Sequence, residues 1–338
     1  MARALKKTDS IASEPEAIVD LEVVKQASSR VADASCLAAG DAVYDFAVEN
    51  LRGFETMFPK EFQQQKELAS TVSLTWASAC SGSEGAYYVM EAMSRAHCLR
   101  GSAGVKLSLK HSFSCECNKD KQKWIQAVAE CGPLKYRQAT PCSDDSEDSQ
   151  VDGSDSCLFQ DIQDLGGSEA PCVTHGRNCP VQSCDIFVLG TSCKDLSKAN
   201  PKKETQKLVF NQVTSLGGSA QTFQGFTSYV KSHSPGMVVF ENADGLEDQI
   251  GASSQSNLDI LLQTTKGLGY RAQPVRTDAQ AFGLPARRRR LYVLFVREIN
   301  PKLHTSERSL TRSFDMFNSM VASCLIPALC QKVAVELF

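Results

Sequence analysis

The 338-residue chain has no apolar run long enough to span a bilayer, and its opening stretch, MARALKKTDSIASEPE, lacks the apolar core of a secretion signal. No membrane partner and an intracellular location are therefore expected. There is no Walker-type phosphate loop, which disfavours a triphosphate ligand. There is no excess of basic charge either. Lys and Arg number 36 against 39 Asp and Glu, so the formal net charge is −3, and any nucleic-acid binding must come from local patches. Paired C-x-x-C knuckles are missing. Ligand types do occur in order in Cys172-x-x-His175-x-x-x-Cys179-x-x-x-x-Cys184, but that spacing is not that of the common zinc sites and Cys184 opens an apolar strand. No metal site is expected. No internal repeat is visible.

What is present is an ordinary globular composition, 42% hydrophobic and 22% charged, in a chain long enough for one large decorated domain. Its 14 cysteines, without a secretion signal, read as reduced thiols. Residues 1–70 are helix-compatible, with Phe46, Leu51, Phe54, Met57, Phe58, Phe62 and Leu68 spaced as one apolar face, broken at Pro59. From Thr71 the pattern becomes strand, turn, helix. Strands are expected at 71–78, 112–116, 158–162, 184–190, 236–242, 269–275 and 291–297, with helices at 86–96, 120–129 and 222–232. This alternation predicts a doubly wound α/β sheet over 71–300, helices on both faces, with ligands at the carboxyl ends of the strands. Residues 143–156 (SDDSEDSQVDGSDS) form an acidic insertion, residues 166–183 read as a Gly-, Pro- and Cys-bearing loop, and 301–338 as a short helical tail.

The chemistry-bearing side chains stand at strand ends. Ser81-Gly82-Ser83-Glu84-Gly85, between the first strand and helix, suits close backbone approach to a small ligand, and is equally a plain tight turn. Glu116 and Asp161 end the next two strands. Either alone is an ordinary helix cap or solvated residue; together they favour a nucleoside cofactor, with Glu116 on ribose hydroxyls and Asp161 accepting from an adenine amino group. Cys193 directly follows the strand DIFVLG. A free thiol titrates near ~8.5, so a nucleophilic cysteine needs positive charge nearby; a structural cysteine is the competing reading. Glu241-Asn242 ends the strand MVVF and is either an acid with a neighbouring amide or a turn. Arg287 to Arg290 precede the last strand as an anion clamp, a nuclear-import or phosphate-binding run, or a solvated loop.

The order and wording of these pieces resemble the cytosine-C5 methyltransferase family, over roughly Ser73 to Val296. The resemblance implies an S-adenosylmethionine-dependent methyltransferase sheet whose seventh strand is antiparallel. It implies that Ser81, Gly82, Ser83, Gly85, Glu116 and Asp161 bind S-adenosyl-L-methionine. It implies catalytic roles for Cys193 as nucleophile, for Glu241 with Asn242 at the base, for Arg288 at the base's carbonyl oxygen and for Arg290 as a buttress. The family's Pro-Cys-Gln reads Ser192-Cys193-Lys194 here, Glu-Asn-Val reads Glu241-Asn242-Ala243, and the glutamine before the arginines is Ala286. Residues 298–338 show neither a final Gly-Asn motif nor a target-recognition region, so a partner protein supplying recognition is implied. The substrate expected is DNA, with RNA or a non-catalytic scaffold role as alternatives, and the nucleus as location in a eukaryote.

Overall fold

The computed structural model describes residues 19–20, 42–60, 62–63, 71–99, 106–131, 156–198, 208–211, 218–250, 255–282, 287–298 and 311–316. Most of the expected N-terminal extension, the acidic insertion up to residue 155 and the tail beyond residue 316 lie outside the described residues. In chain order the elements are β1 (Val19–Asp20), α1 (Ala42–Met57), β2 (Thr71–Ala79), α2 (Gly85–Leu99), β3 (Lys106–Cys115), α3 (Lys119–Cys131), β4 (Cys157–Phe159), β5 (Glu169–Cys172), β6 (Arg177–Pro180), β7 (Ile186–Gly190), α4 (Gly218–His233), β8 (Met237–Ala243), β9 (Gln249–Ile250), β10 (Gln255–Ser256), α5 (Asn257–Gly267), β11 (Tyr270–Asp278) and β12 (Arg289–Arg297).

Ten strands form one sheet in the order β1-β11-β12-β8-β7-β2-β3-β4-β5-β6. From β4 through β3, β2 and β7 to β8 every pairing is parallel, and β12 enters antiparallel between β8 and β11. This is an α/β Rossmann-like sheet, with its last strand reversed as expected. The order turns back between β2 and β7, which opens a crevice at their carboxyl ends.

Strand register sorts the core into two faces. Ala77 pairs with Phe187 and Phe113, so these three share a face, and α4 covers it with Tyr229 and Phe226. Trp76 pairs with His111 and faces the other way, against Tyr87 of α2. In β7 and β8 buried residues alternate with half-buried ones, so neither face is fully exposed and both strands read as apolar runs in the sequence.

Two expectations need correction. Residues 166–183 are not a plain loop: β5 and β6 form a hairpin that extends the sheet beyond β4. Helix α5 was not anticipated, although Ser256 and Asp259 form a reciprocal capping box at its start. Between β4 and the hairpin a 3-10 turn, Ile162–Gly166, packs tightly on α4. A Cβ on Gly225 would lie 2.7 Å from the Ile162 carbonyl oxygen, so only glycine allows that approach.

Candidate active site

The turn after β2 is held in a bent conformation. Cys80, Gly82 and Glu84 have φ of 52°, 60° and 60°. For the two non-glycine residues this costs roughly 1 kcal/mol or more each, which the surrounding bonds must offset. Ser81 N–H donates to the Cys115 carbonyl (3.1 Å) and Glu84 N–H to the Ser81 carbonyl (2.8 Å). Ser78 Oγ donates to Glu84 Oε1 (2.6 Å) inside the fold, while Glu84 Oε2 has no hydrogen-bond partner among the described residues. Burial raises the Glu84 carboxyl, against the lowering effect of the Ser78, Ser81 and Ser114 hydroxyls.

Glu116 is buried at the end of β3. Its Oε2 accepts from Gly82 N–H (2.8 Å) and its Oε1 from Asn118 N–H (2.9 Å). The carboxylate therefore ties the β2 turn to the β3 end and retains further lone pairs for a ligand. Asp161 stands exposed near the same strand ends and caps the 3-10 turn by accepting from Gln163 N–H (3.0 Å). Cys80 lies among these acids; burial, then Glu116, Cys117 and Asp161, push its thiol up to about 12. Ser83 and Gly85 are exposed, and a Cβ on Gly85 would meet nothing within 4 Å among the described residues. The sequence reading missed Trp124 of α3, an exposed indole whose Nε1–H donates to the Ser83 carbonyl (3.2 Å).

Across the crevice, β7 ends at Gly190 and passes into the Cys193 loop. The loop is anchored at several points. Buried Asn242 donates from Nδ2 to Thr191 Oγ1 (2.7 Å). Ser192 N–H donates to Thr222 Oγ1 (3.2 Å). Asp195 N–H donates to Ser219 Oγ (3.2 Å), and Ser219 N–H donates back to Asp195 Oδ2 (3.1 Å), which caps α4. Past the cysteine, Leu196 and Ser197 N–H groups close a turn on the Cys193 carbonyl (3.0 and 2.8 Å). Cys193 itself is partly exposed. Asn242 thus ties the end of β8 to the start of the cysteine loop. Thr222 and Ser219 were missed because they stand in a helix some 26 residues or more further on, where only tertiary structure brings them to the loop.

Glu241 pairs in register with Gly190 on one side and Tyr292 on the other. Its Oε1 accepts from Arg290 Nε (2.7 Å), and a Cβ on Gly190 would stand 3.0 Å from its Oε2. The carboxyl therefore lies over the end of β7, just before the cysteine loop. Burial raises its pKa, and the Arg290 and Arg288 charges pull it back only in part. Arg288 is exposed, and its N–H donates to Asp278 Oδ1 (2.9 Å).

Asp278, also missed by the sequence reading, organises the arginine run. It accepts from the N–H groups of Arg288 and Gln280 and from Arg287 Nε (3.3 Å). Burial alone would raise its carboxyl, but these donors outweigh that effect and hold it below its ordinary value. A depressed folded-state pKa contributes stability above the unfolded value of ~3.9 that is lost as pH falls through the folded one. Asp278→Ala is therefore expected to melt roughly 2–6 °C lower at pH 7. The gap should shrink as the melts are carried toward pH ~3; a gap independent of pH would refute the assignment.

Beside Glu241 and Arg290 is an open cleft of about 230 Å³ lined by Lys198, Asp244, Glu247, Arg276, Thr277, Arg289 and Arg290. Lys198 spans Asp244 (3.2 Å) and Asp248 (3.0 Å), and Arg276 pairs with Glu247 (2.8 Å). Basic groups outnumber acids on this wall, against the sign of the whole chain.

A family model described as C-5 cytosine-specific DNA methylase matches residues 159–322. A curated relative, DNA (cytosine-5-)-methyltransferase DMT5 of Cryptococcus neoformans var. grubii, is 27% identical over 218 residues, 64% of this chain. That match spans 7% of the relative's own length. Among solved structures, the S. pombe Dnmt2 methyltransferase has 12% identity and a TM-score of 0.36, covering 71% of this chain and 53% of that one. A triple mutant of Spodoptera frugiperda DNMT2 has 11% identity and a TM-score of 0.36, covering 68% and 51%. These two structural likenesses are too partial to carry an argument.

Proposed function

We infer that the chain belongs to the C-5 cytosine-specific DNA methylase family, and on that premise propose that it transfers a methyl group from S-adenosylmethionine to C5 of cytosine in DNA. One observation carries the reading. A thiol, a carboxyl with a raised pKa and its paired guanidinium gather at the adjoining ends of β7, β8 and β12. The other side of the same crevice holds a carboxylate pinned by two N–H donors.

The donor set on that side fits the cofactor. Glu116 offers acceptors for two vicinal hydroxyls, Asp161 stands beside it, and the turn leaves backbone room. Among the described residues a Cβ on Gly82 would meet only the Cys80 carbonyl, at 3.9 Å. S-adenosylmethionine, when bound, supplies an electrophilic methyl group. The rest is the work of the chain. Cys193 sulfur attacks C6 of the cytosine ring, and Glu241 gives a proton to N3, so that electron density gathers at C5. Arg288 holds the ring's carbonyl oxygen, and Arg290 keeps Glu241 aimed. Once the methyl is on C5, with S-adenosylhomocysteine as the group it leaves, a base takes the C5 proton, the C6–S bond breaks to free the thiolate, and N3 returns its proton to Glu241.

The departure from the family's proline is offset locally. Proline fixes φ but has no N–H; Ser192 donates that N–H to Thr222 and so gains an anchor proline lacks. We further take 71–300 as the catalytic domain, the basic cleft as a seat for the nucleic-acid backbone, a partner protein as the source of target recognition, and the nucleus as the location.

Titration calorimetry with S-adenosylmethionine tests the cofactor half. Glu116→Ala should weaken binding about 10–100-fold, since charge-assisted hydrogen bonds are lost. Incubation with fluorocytosine-containing DNA or RNA then tests the chemistry. A covalent adduct with DNA supports the reading, and an adduct with RNA alone reassigns the substrate. Intact binding with neither adduct makes the chain a non-catalytic binding protein.

A further inference from the structure

The β5–β6 hairpin gathers a second cluster of chemistry, away from the crevice. Cys172 pairs with Arg177, and Cys179 with Ala170, so the two cysteines lie diagonally across the ladder. Both are buried while their neighbours along the strands are exposed. The connecting turn reverses at Gly176, φ 61°, and returns His175 toward them. On the other side β4 is paired to β5 at Phe159 and Cys172, and Val173 N–H donates to the Leu158 carbonyl (2.7 Å). That pairing brings Cys157 alongside the turn.

The three sulfurs converge on one atom. His175 Nδ1 lies 3.3 Å from Cys172 Sγ, 3.3 Å from Cys179 Sγ and 3.6 Å from Cys157 Sγ. The four candidate ligand atoms all fall within 4.8 Å of one another. As hydrogen bonding this arrangement is poor, because a ring nitrogen offers one proton or one lone pair and cannot serve three thiols. As a coordination shell it is complete. A tetrahedron with Zn–S of ~2.3 Å and Zn–N of ~2.1 Å has S···N edges of roughly 3.6 Å.

We propose that Cys157, Cys172, His175 and Cys179 form a tetrahedral zinc site that clips the β5–β6 hairpin to β4. This departs from the sequence reading, in which Cys184 stood as the fourth ligand type and no metal was expected. Cys184 is buried at the foot of β7 against Tyr229 Oη (3.3 Å), and strand pairing puts Cys157 in its place. Four protein ligands leave no open position, so the site is structural rather than catalytic. Binding releases the thiol protons and couples the metal to folding of the hairpin.

The test uses the full chain, expressed with zinc in the medium and purified under reducing conditions. Elemental analysis is expected to find about one zinc per chain. Cys157→Ser and His175→Ala should each cut that content at least five-fold, while Cys117→Ser leaves it unchanged. Cobalt loaded in place of zinc should give the intense d–d bands and thiolate charge transfer of a tetrahedral sulfur-rich site. Stripping the metal with a chelator should lower the melting temperature by several degrees. If a variant fails to fold, the cobalt spectrum of the unmutated chain decides alone. Metal-free protein that neither binds nor is stabilised by added zinc would overturn the proposal. So would full zinc content in folded Cys157→Ser, or a native disulfide among these cysteines. None of these readouts depends on methyl transfer.

Discussion

Cys193→Ala is expected to abolish turnover, by at least about 10⁴-fold, while S-adenosylmethionine binding changes by less than about two-fold. The separation follows from the sheet. Cys193 follows β7 on one side of the crevice, and the Glu116 carboxylate that ties the opposite turn makes its bonds to Gly82 and Asn118, not to the cysteine loop. The thiol is partly exposed, and the loop's anchors run through Thr191, Ser192 and Asp195, so removing the sulfur leaves them in place. The cost in stability should be no more than about 1 kcal/mol. Covalent capture by fluorocytosine DNA should vanish with the turnover. A variant that still turned over would show that the sulfur is a bystander. Equal loss of cofactor binding would show that the loop and the β2 turn are one unit.

The sheet was legible because its central strands have one buried and one half-buried face and so appear as nearly continuous apolar runs, as in IFVLG and MVVFENA. The hairpin was not. EAPC and RNCP are four-residue strands carrying proline at the edge of a sheet, with little in them that favours extended structure by itself. Without that hairpin the register that brings Cys157 to His175 could not be foreseen, and the order Cys172, His175, Cys179, Cys184 has a spacing that argues against a metal site. The site residues taken from strand ends, Glu116, Cys193 and Glu241, lie where expected because chain order already assigns a strand's carboxyl end. Their supports are of another kind. Asp278 holds the arginine run from the end of the neighbouring strand and Ser219 pairs with Asp195 from the start of α4, and no local pattern announces those contacts. The capping box of α5 was the exception: its Ser256 and Asp259 were readable, and the eleven-residue helix behind them was passed over.

Glu241→Gln is expected to lower turnover about 10²–10⁴-fold, the usual range for losing a positioned acid, with no loss of thermal stability. Burial raises the Glu241 carboxyl more than Arg290 and Arg288 lower it, so the fold favours the protonated form relative to water. For a carboxyl raised in the folded state, the associated stability is present below the unfolded value of ~4.3 and lost as pH rises through the folded one. Glutamine carries no charge to bury, so the variant should melt at the same temperature or slightly higher at pH 7–8. Its amide can still accept from Arg290 and donate a hydrogen bond to N3, but it has no proton to give. The same sign governs the rate. In the native chain the fraction of protonated Glu241 falls as pH rises through its raised pKa, which should draw down the alkaline limb of the pH–rate profile. In the glutamine variant that limb should flatten onto a low plateau. A melting temperature that drops with the substitution would mean that the Arg290 pair is a net stabiliser and the raised pKa is misassigned. An unchanged rate would mean that Glu241 merely holds Arg290, and the proton for N3 would then have to come from another group in the crevice.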